Sequence, residues 1–386
     1  MIKFNEKMLY HIICLIILLN IIQFGIRMFN ITFNGLMVEY ILIMFILIFY
    51  KKRIINYYTV LVTLLSYLVF LIALAINDNE TIRFYIYSFT TFSLPLLIVF
   101  IFKIDYKEFL NIFSKYVFVL MVLYVINMVF DSTLLNDYMT FGYNGIFCSI
   151  FLFIYSFYNK KKMLSLCSFF CSIIFLINGA RGCLLIITMS LLLIILFSIS
   201  GRVNIAKKII MIIFLIIVSF TYNQIIDNSL KFINEHFDSN LYTVKQFNNM
   251  ASIDRIDELL SGRYYIYKVA VEEINNNFFT GIGIGTFQEK YGFYPHNIFL
   301  DVFTTYGFII GIGYFLFLII IGKKVFIIAK DNVYIKILFI FCLALSMKLL
   351  LSKTFIYDPY IWLLISCFLN IIAINELDKK NKLKIS

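Results

Sequence analysis

Charge is scarce in this 386-residue chain. Asp, Glu, Lys and Arg make up 14% of it, against 62% hydrophobic residues. A soluble domain is about 25% charged, so this chain has too little polar surface to cover a soluble core of its size. Proline is nearly absent, at 3 residues, and there are only 16 glycines. So few helix breakers do not suit the short, turn-separated, alternating segments of a membrane β-barrel. The first apolar run is not followed by a small-residue cleavage site, which predicts a retained helix. Asp-x-Asp and His/Cys clusters are missing too, so neither a metal site nor a cofactor is expected. Cys14, Cys148, Cys167, Cys171, Cys183, Cys342 and Cys367 all fall in apolar stretches or at their ends. They are expected to be packing residues.

What is present is a series of continuous apolar runs about one bilayer thick. Twelve candidates lie at about 8–26, 35–50, 57–76, 82–102, 109–130, 140–158, 163–178, 183–200, 206–222, 297–321, 333–351 and 357–374. The expected fold is all-α: a polytopic membrane protein with about twelve transmembrane helices and one large, mainly helical extracytoplasmic loop. Three regions follow: spans one to nine in residues 1–222, the loop in 223–296, and spans ten to twelve with a tail in 297–386.

The net charge of +11 reflects orientation rather than nucleic-acid binding, because short cytoplasmic loops collect Lys and Arg. Alternate junctions are basic: Lys51-Lys52-Arg53, Lys103 with Lys107, Lys160-Lys161-Lys162, Arg202 with Lys207 and Lys208, and Lys323-Lys324 with Lys330. The opposite short junctions hold only Arg27, Arg83, Arg181 and Lys353. This pattern places both termini in the cytoplasm and the loop outside. The loop carries nine acids and six bases, so it is not a basic patch. Helical spacing predicts one helix around Ile225 to Phe237 and a second from a Ser261 N-cap to about Ile274.

Charges beside a membrane are costly and mark candidate sites. Arg181, in Asn178-Gly179-Ala180-Arg181-Gly182, opposes the positive-inside trend at the start of the eighth span. It is either a loop arginine or a phosphate contact, where a guanidinium fork and free helix N–H groups favour an anion. Arg263 follows Ser261-Gly262 and opens the second loop helix in the same way. His296 ends the loop in Tyr294-Pro295-His296-Asn297, and its imidazole can exchange protons with an outside acceptor. Asn297 could orient His296 or bind a sugar hydroxyl. Asp301, one turn on, is either a partner for His296 or a residue facing a water-filled cavity. The run Gly281-Ile282-Gly283-Ile284-Gly285 suits close backbone approach or a phosphate nest, Gly283 and Gly285 included. It lacks the strand–turn–helix setting of a nucleotide motif. Gly307 and Gly311 predict small-xxx-small packing on the tenth helix. Lys348 reads as a snorkelling side chain.

In this order these residues resemble the bacterial O-antigen polymerase/ligase superfamily, which includes the Wzy polymerases and WaaL ligases. The stretch runs from Ser261-Gly262-Arg263 through Tyr267 and the glycine run to Pro295-His296-Asn297, Leu300 and Gly307. The Arg181-Gly182 turn resembles the arginine–glycine turn that often precedes it. The family often has Trp at the place of Tyr267, Pro at Phe278-Phe279 and an acid at Thr305; with Thr there, Asp301 is the nearest acid to assist His296.

The resemblance implies a glycosyltransferase whose donor is an undecaprenyl-diphosphate-linked oligosaccharide, in the bacterial cytoplasmic membrane with its site facing outward. It implies His296, Arg263 and Arg181 as catalytic residues. Asn297, Asp301, Gly283, Gly285 and Tyr267 would bind substrate. A chain-length regulator membrane protein is a candidate partner; nucleic acid is not. A polymerase would extend another lipid-linked repeat unit, whereas a ligase would transfer the glycan to lipid A core or protein. A lipid-glycan flippase or secondary transporter also fits the span count, though its class typically lacks such a loop between spans nine and ten.

Overall fold

The computed structural model describes residues 6–26, 35–49, 56–76, 80–130, 138–177, 182–198 and 263–385. Arg181, the ninth predicted span, Ser261 and the first predicted loop helix lie outside the described residues. Among the described residues all regular structure is helical.

The helices are α1 (Glu6–Gly25), α2 (Gly35–Phe49), α3 (Tyr57–Ile76), α4 (Glu80–Val99), α5 (Tyr106–Phe130), α6 (Tyr138–Tyr158), α7 (Lys162–Ile177) and α8 (Gly182–Ser198). After the loop come α9 (Tyr264–Asn276), α10 (Thr286–Tyr291), α11 (Ile298–Asp331), α12 (Val333–Ser346, extended by a 3₁₀ turn, Met347–Leu350) and α13 (Pro359–Ile385). Among the described residues, eight helices are long and apolar enough to cross a membrane. Met37–Leu47, Lys162–Leu176 and Gly182–Phe197 are shorter apolar helices. The protein is an all-α polytopic membrane protein.

The surface fits a bilayer. Leu61, Leu64, Leu68 and Leu71 on α3 and Ile309, Ile319 and Ile320 on α11 are exposed, as befits side chains facing lipid. Inside, α5, α6 and α12 meet through aromatic rings. Phe151 lies edge-on to Phe113 at 4.7 Å and to Phe341 at 5.1 Å. In α4 the turn Phe89–Ser93 widens to a π-helix. Pro95 follows it and has no N–H to donate to that turn. The Tyr40 hydroxyl donates to the Thr90 carbonyl at 3.0 Å.

The tenth predicted span is not a continuous helix. Gly307 has φ 71° and ψ −178°, a conformation essentially confined to glycine. On a straight helix Phe299 and Phe315 would be about 24 Å apart, yet their rings are 4.9 Å apart. The chain therefore reverses at Gly307. Residues 298–306 form a half-helix of about 13 Å, too short to span, and residues 308–331 form a helix of about 36 Å that is long enough. Gly311 does not offer a small-residue face to another helix. A Cβ there would lie 2.6 Å from the Phe303 ring across the same hairpin. As a result, the chain entering α11 starts beside the middle of that span rather than at its end.

Candidate functional site

The glycine run docks on this reversal. Gly281, Gly283 and Gly285 have φ of 66°, 91° and 79°. Ile282 N–H donates to the Thr304 carbonyl at 2.8 Å, Gly283 N–H to Thr305 at 3.1 Å, and Phe308 N–H to Phe278 at 2.7 Å. A Cβ on Gly307 would sit 2.4 Å from the Phe279 carbonyl oxygen, and one on Gly281 would sit 2.5 Å from Gly307 N. Close backbone approach is thus the observed role of Gly281 and Gly307, and Gly283 gives its N–H to the same contact. Gly285 packs against Thr81 and Ile82 of α4.

The loop helix α9 starts at Tyr264, with Arg263 in the N-cap position, close to the predicted start. It is pinned by Glu273, whose Oε1 accepts from Lys290 Nζ at 2.5 Å and from the Tyr291 hydroxyl. Lys290 foremost, then Tyr291, hold the Glu273 carboxyl below its ordinary pKa. Tyr267 lies one turn into α9, half-exposed, with its N–H on the Arg263 carbonyl at 2.9 Å.

The hub of the site is the segment between α12 and α13, residues 350–358, which the sequence reading passed over. Asn297 Nδ2 donates to the Leu350 carbonyl at 3.2 Å, and its Oδ1 caps α11 through Phe299 N–H at 2.9 Å and Leu300 N–H at 3.4 Å. Arg263 Nη1 donates to the Leu351 carbonyl. Ser352 and Lys353 of this segment line one cavity together with Tyr143 and Tyr294. Asp301 Oδ2 accepts from Phe355 N–H at 3.1 Å. Asp301 is buried and holds this segment; it is not the partner of His296.

His296 follows Pro295 with φ 56°, and Lys353 has φ 61°. Left-handed backbone is uncommon for residues other than glycine, and both cases lie at this hub. The His296 ring packs on Tyr294 with centroids 4.1 Å apart. Its Nδ1 is buried with no hydrogen-bond partner among the described residues. Burial, and then the positive Arg263, lower its pKa to about 4. The imidazole is therefore neutral at pH 7.

Beneath this hub lies a cavity of about 650 Å³ lined by α1, α2, α4, α6 and the 350–358 segment, with Tyr294, Lys348, Lys353 and Tyr143 among its walls. Lys348 does not snorkel. It is buried, 2.6 Å from Asp358 Oδ2 and 3.7 Å from the centre of the Tyr360 ring. The available signal was a lysine and an aspartate flanking one outward junction, where the positive-inside bias explains neither. A Cβ on Gly182 would lie 2.2 Å from the Tyr143 hydroxyl, so the residue following Arg181 touches the same wall. Among the described residues no three His, Cys, Asp or Glu side chains form a group able to hold a metal ion.

Residues 166–318 match the family model described as O-Antigen ligase. The match contains Arg181, Arg263, His296, Asn297 and Asp301 and stops before Lys348 and the 350–358 segment. No curated protein and no solved structure matches the chain.

Proposed function

We propose that the chain, which carries a domain of the O-antigen polymerase/ligase superfamily at residues 166–318, is a membrane glycosyltransferase acting as a polysaccharide polymerase. Its donor is an undecaprenyl-diphosphate-linked glycan, and its acceptor is the non-reducing end of another lipid-linked repeat unit. The observation that carries this reading is the meeting of Arg263 and a neutral His296 at the 350–358 segment, whose Ser352, Lys353 and Tyr357 line a membrane cavity.

The acceptor hydroxyl attacks the anomeric carbon, and the carbon–oxygen bond to the diphosphate breaks. The hydroxyl proton passes to the His296 imidazole. The departing diphosphate keeps the bonding electrons, and its growing charge needs fixed cations. Arg263 supplies one; Arg181 supplies a second, an assignment supported by the packing of Gly182 on Tyr143. Asn297 and Asp301 act by fixing the hub, and Tyr267, Gly283 and Gly285 shape the loop above it. The half-helix supports placing the reaction within the outer part of the bilayer, where a lipid diphosphate resides. By the charge pattern, this face is the periplasm or cell exterior, and both termini are cytoplasmic.

The description of the matched family favours a second reading, transfer to lipid A core or protein. Purified protein in nanodiscs, given only undecaprenyl-diphosphate oligosaccharide, should yield a ladder of longer lipid-linked glycans. His296→Ala should slow this on the order of a hundredfold or more, the usual range for losing a general base. Arg263→Lys should also impair it, because a point charge loses the guanidinium fork. If no ladder forms until lipid A core or protein is added, the ligase reading holds. If substrate crosses the bilayer with no new bond, both enzyme readings fail.

A further inference from the structure

The cavity has a second wall, from α1 and α2, that the transfer chemistry leaves unused. Glu39 on α2 is 2% exposed. Its Oε1 has one weak contact, Asn20 Nδ2 at 3.5 Å, and its Oε2 is buried with no hydrogen-bond partner among the described residues. A carboxyl group on a membrane helix is costly and is usually functional, and an unmet acceptor adds to that cost. Glu39 lines the same cavity as Asn20, Asn144, Tyr87 and Phe92, and the 350–358 segment lines it too.

Each part of a lipid-linked glycan can be compared with this wall. A polyprenyl chain needs no acceptor or amide, and a diphosphate offers chiefly acceptor oxygens where the unmet Glu39 oxygen calls for a donor. A sugar ring fits. Its hydroxyls donate to an open carboxyl oxygen and exchange hydrogen bonds with amides, which both donate and accept. Its C–H face lies flat on aromatic rings, whose apolar bodies suit a partly wet site.

We propose that Glu39, with Asn20 and Asn144, forms a hydroxyl-binding subsite for the sugar next to the diphosphate of a lipid-linked glycan. This rests on the donor assignment above. The diphosphate then lies at the Arg263 side of the hub and the sugar on the Glu39 wall of the cavity, with the glycosidic carbon between them.

The test is binding, not turnover, to protein in nanodiscs, with two probes: bare undecaprenyl diphosphate and undecaprenyl-diphosphate oligosaccharide. The wild type should bind the glycan-bearing lipid more tightly. Glu39→Leu should leave the bare lipid unaffected, which also reports folding, and weaken the glycan-bearing lipid by up to about tenfold, the scale of a lost hydrogen bond. Glu39→Gln keeps one acceptor oxygen and should lose less; if the leucine variant does not fold, this variant decides. Unchanged preference for the glycan-bearing lipid in the folded variants overturns the subsite and leaves the diphosphate reading standing. Equal wild-type affinity for the two probes does the same. If the wild type binds neither lipid, the donor assignment fails and the subsite falls with it.

Discussion

The inner and outer parts of the bundle are held together differently. Where α5, α6 and α12 meet, Phe113, Phe147, Phe151 and Phe341 share many ring contacts of 4.7–6.4 Å, and no single contact decides the geometry. At the site, single polar contacts do. Asn297 ties α11 to the Leu350 carbonyl, Asp301 holds Phe355, Arg263 holds Leu351, and Lys348 pairs with Asp358. Dispersion spread over many atoms tolerates change. A buried polar pair fails as soon as one member goes, because the other is left uncompensated. This part of the chain trades tolerance for fixed geometry at reacting atoms.

The largest effect on stability should come from Lys348→Met, which leaves the Asp358 carboxyl buried without its cation, held by the Tyr360 N–H on Oδ1. A loss of about 3–5 kcal/mol is expected, seen as a lowered thermal midpoint in detergent or nanodiscs. The double variant with Asp358→Leu should recover most of it; recovery to wild-type activity as well would show that the pair has no positioning role. Gly307→Ala comes next. Its backbone conformation is essentially closed to alanine, at about 1–3 kcal/mol, and the new Cβ would meet the Phe279 carbonyl at 2.4 Å. Loss of both the ladder activity and protease protection of the 278–297 loop would check it. Phe151→Leu in the aromatic core should cost only about 1–2 kcal/mol and leave the ladder length unchanged; a large loss of activity there would erase the contrast between the two regions.

The smallest effect concerns the rim. Glu273 has a depressed pKa, so its contribution to packing α9 on α10 is present above the ordinary carboxylate pKa and is lost as pH falls through the lowered value. Lys290 in this pair is more than half exposed, so screening keeps the effect small. Hydrogen exchange of α9 should rise only at strongly acidic pH and should rise less than in Glu273→Gln at pH 7.

The sequence by itself determined the class of the protein. Hydropathy and the shortage of breakers required membrane helices, and all the spans that fall on described residues are apolar helices, most within a few residues of the predicted bounds. It also singled out Arg263 and His296, because a charge or an imidazole at a membrane boundary stands out against an apolar background. Only the tertiary structure decided what these residues meet. Gly307 reads in one dimension as a helix-packing glycine, since the left-handed turn it permits leaves no mark on the hydropathy of its neighbours. Lys348 and Asp358, Asp301 and Phe355, and Glu39 and Asn20 are pairs separated by 10 to 54 positions. Helical periodicity reports neighbours three and four residues apart, so contacts between helices, and the cavity they enclose together with the 350–358 segment, exist only once the helices have packed.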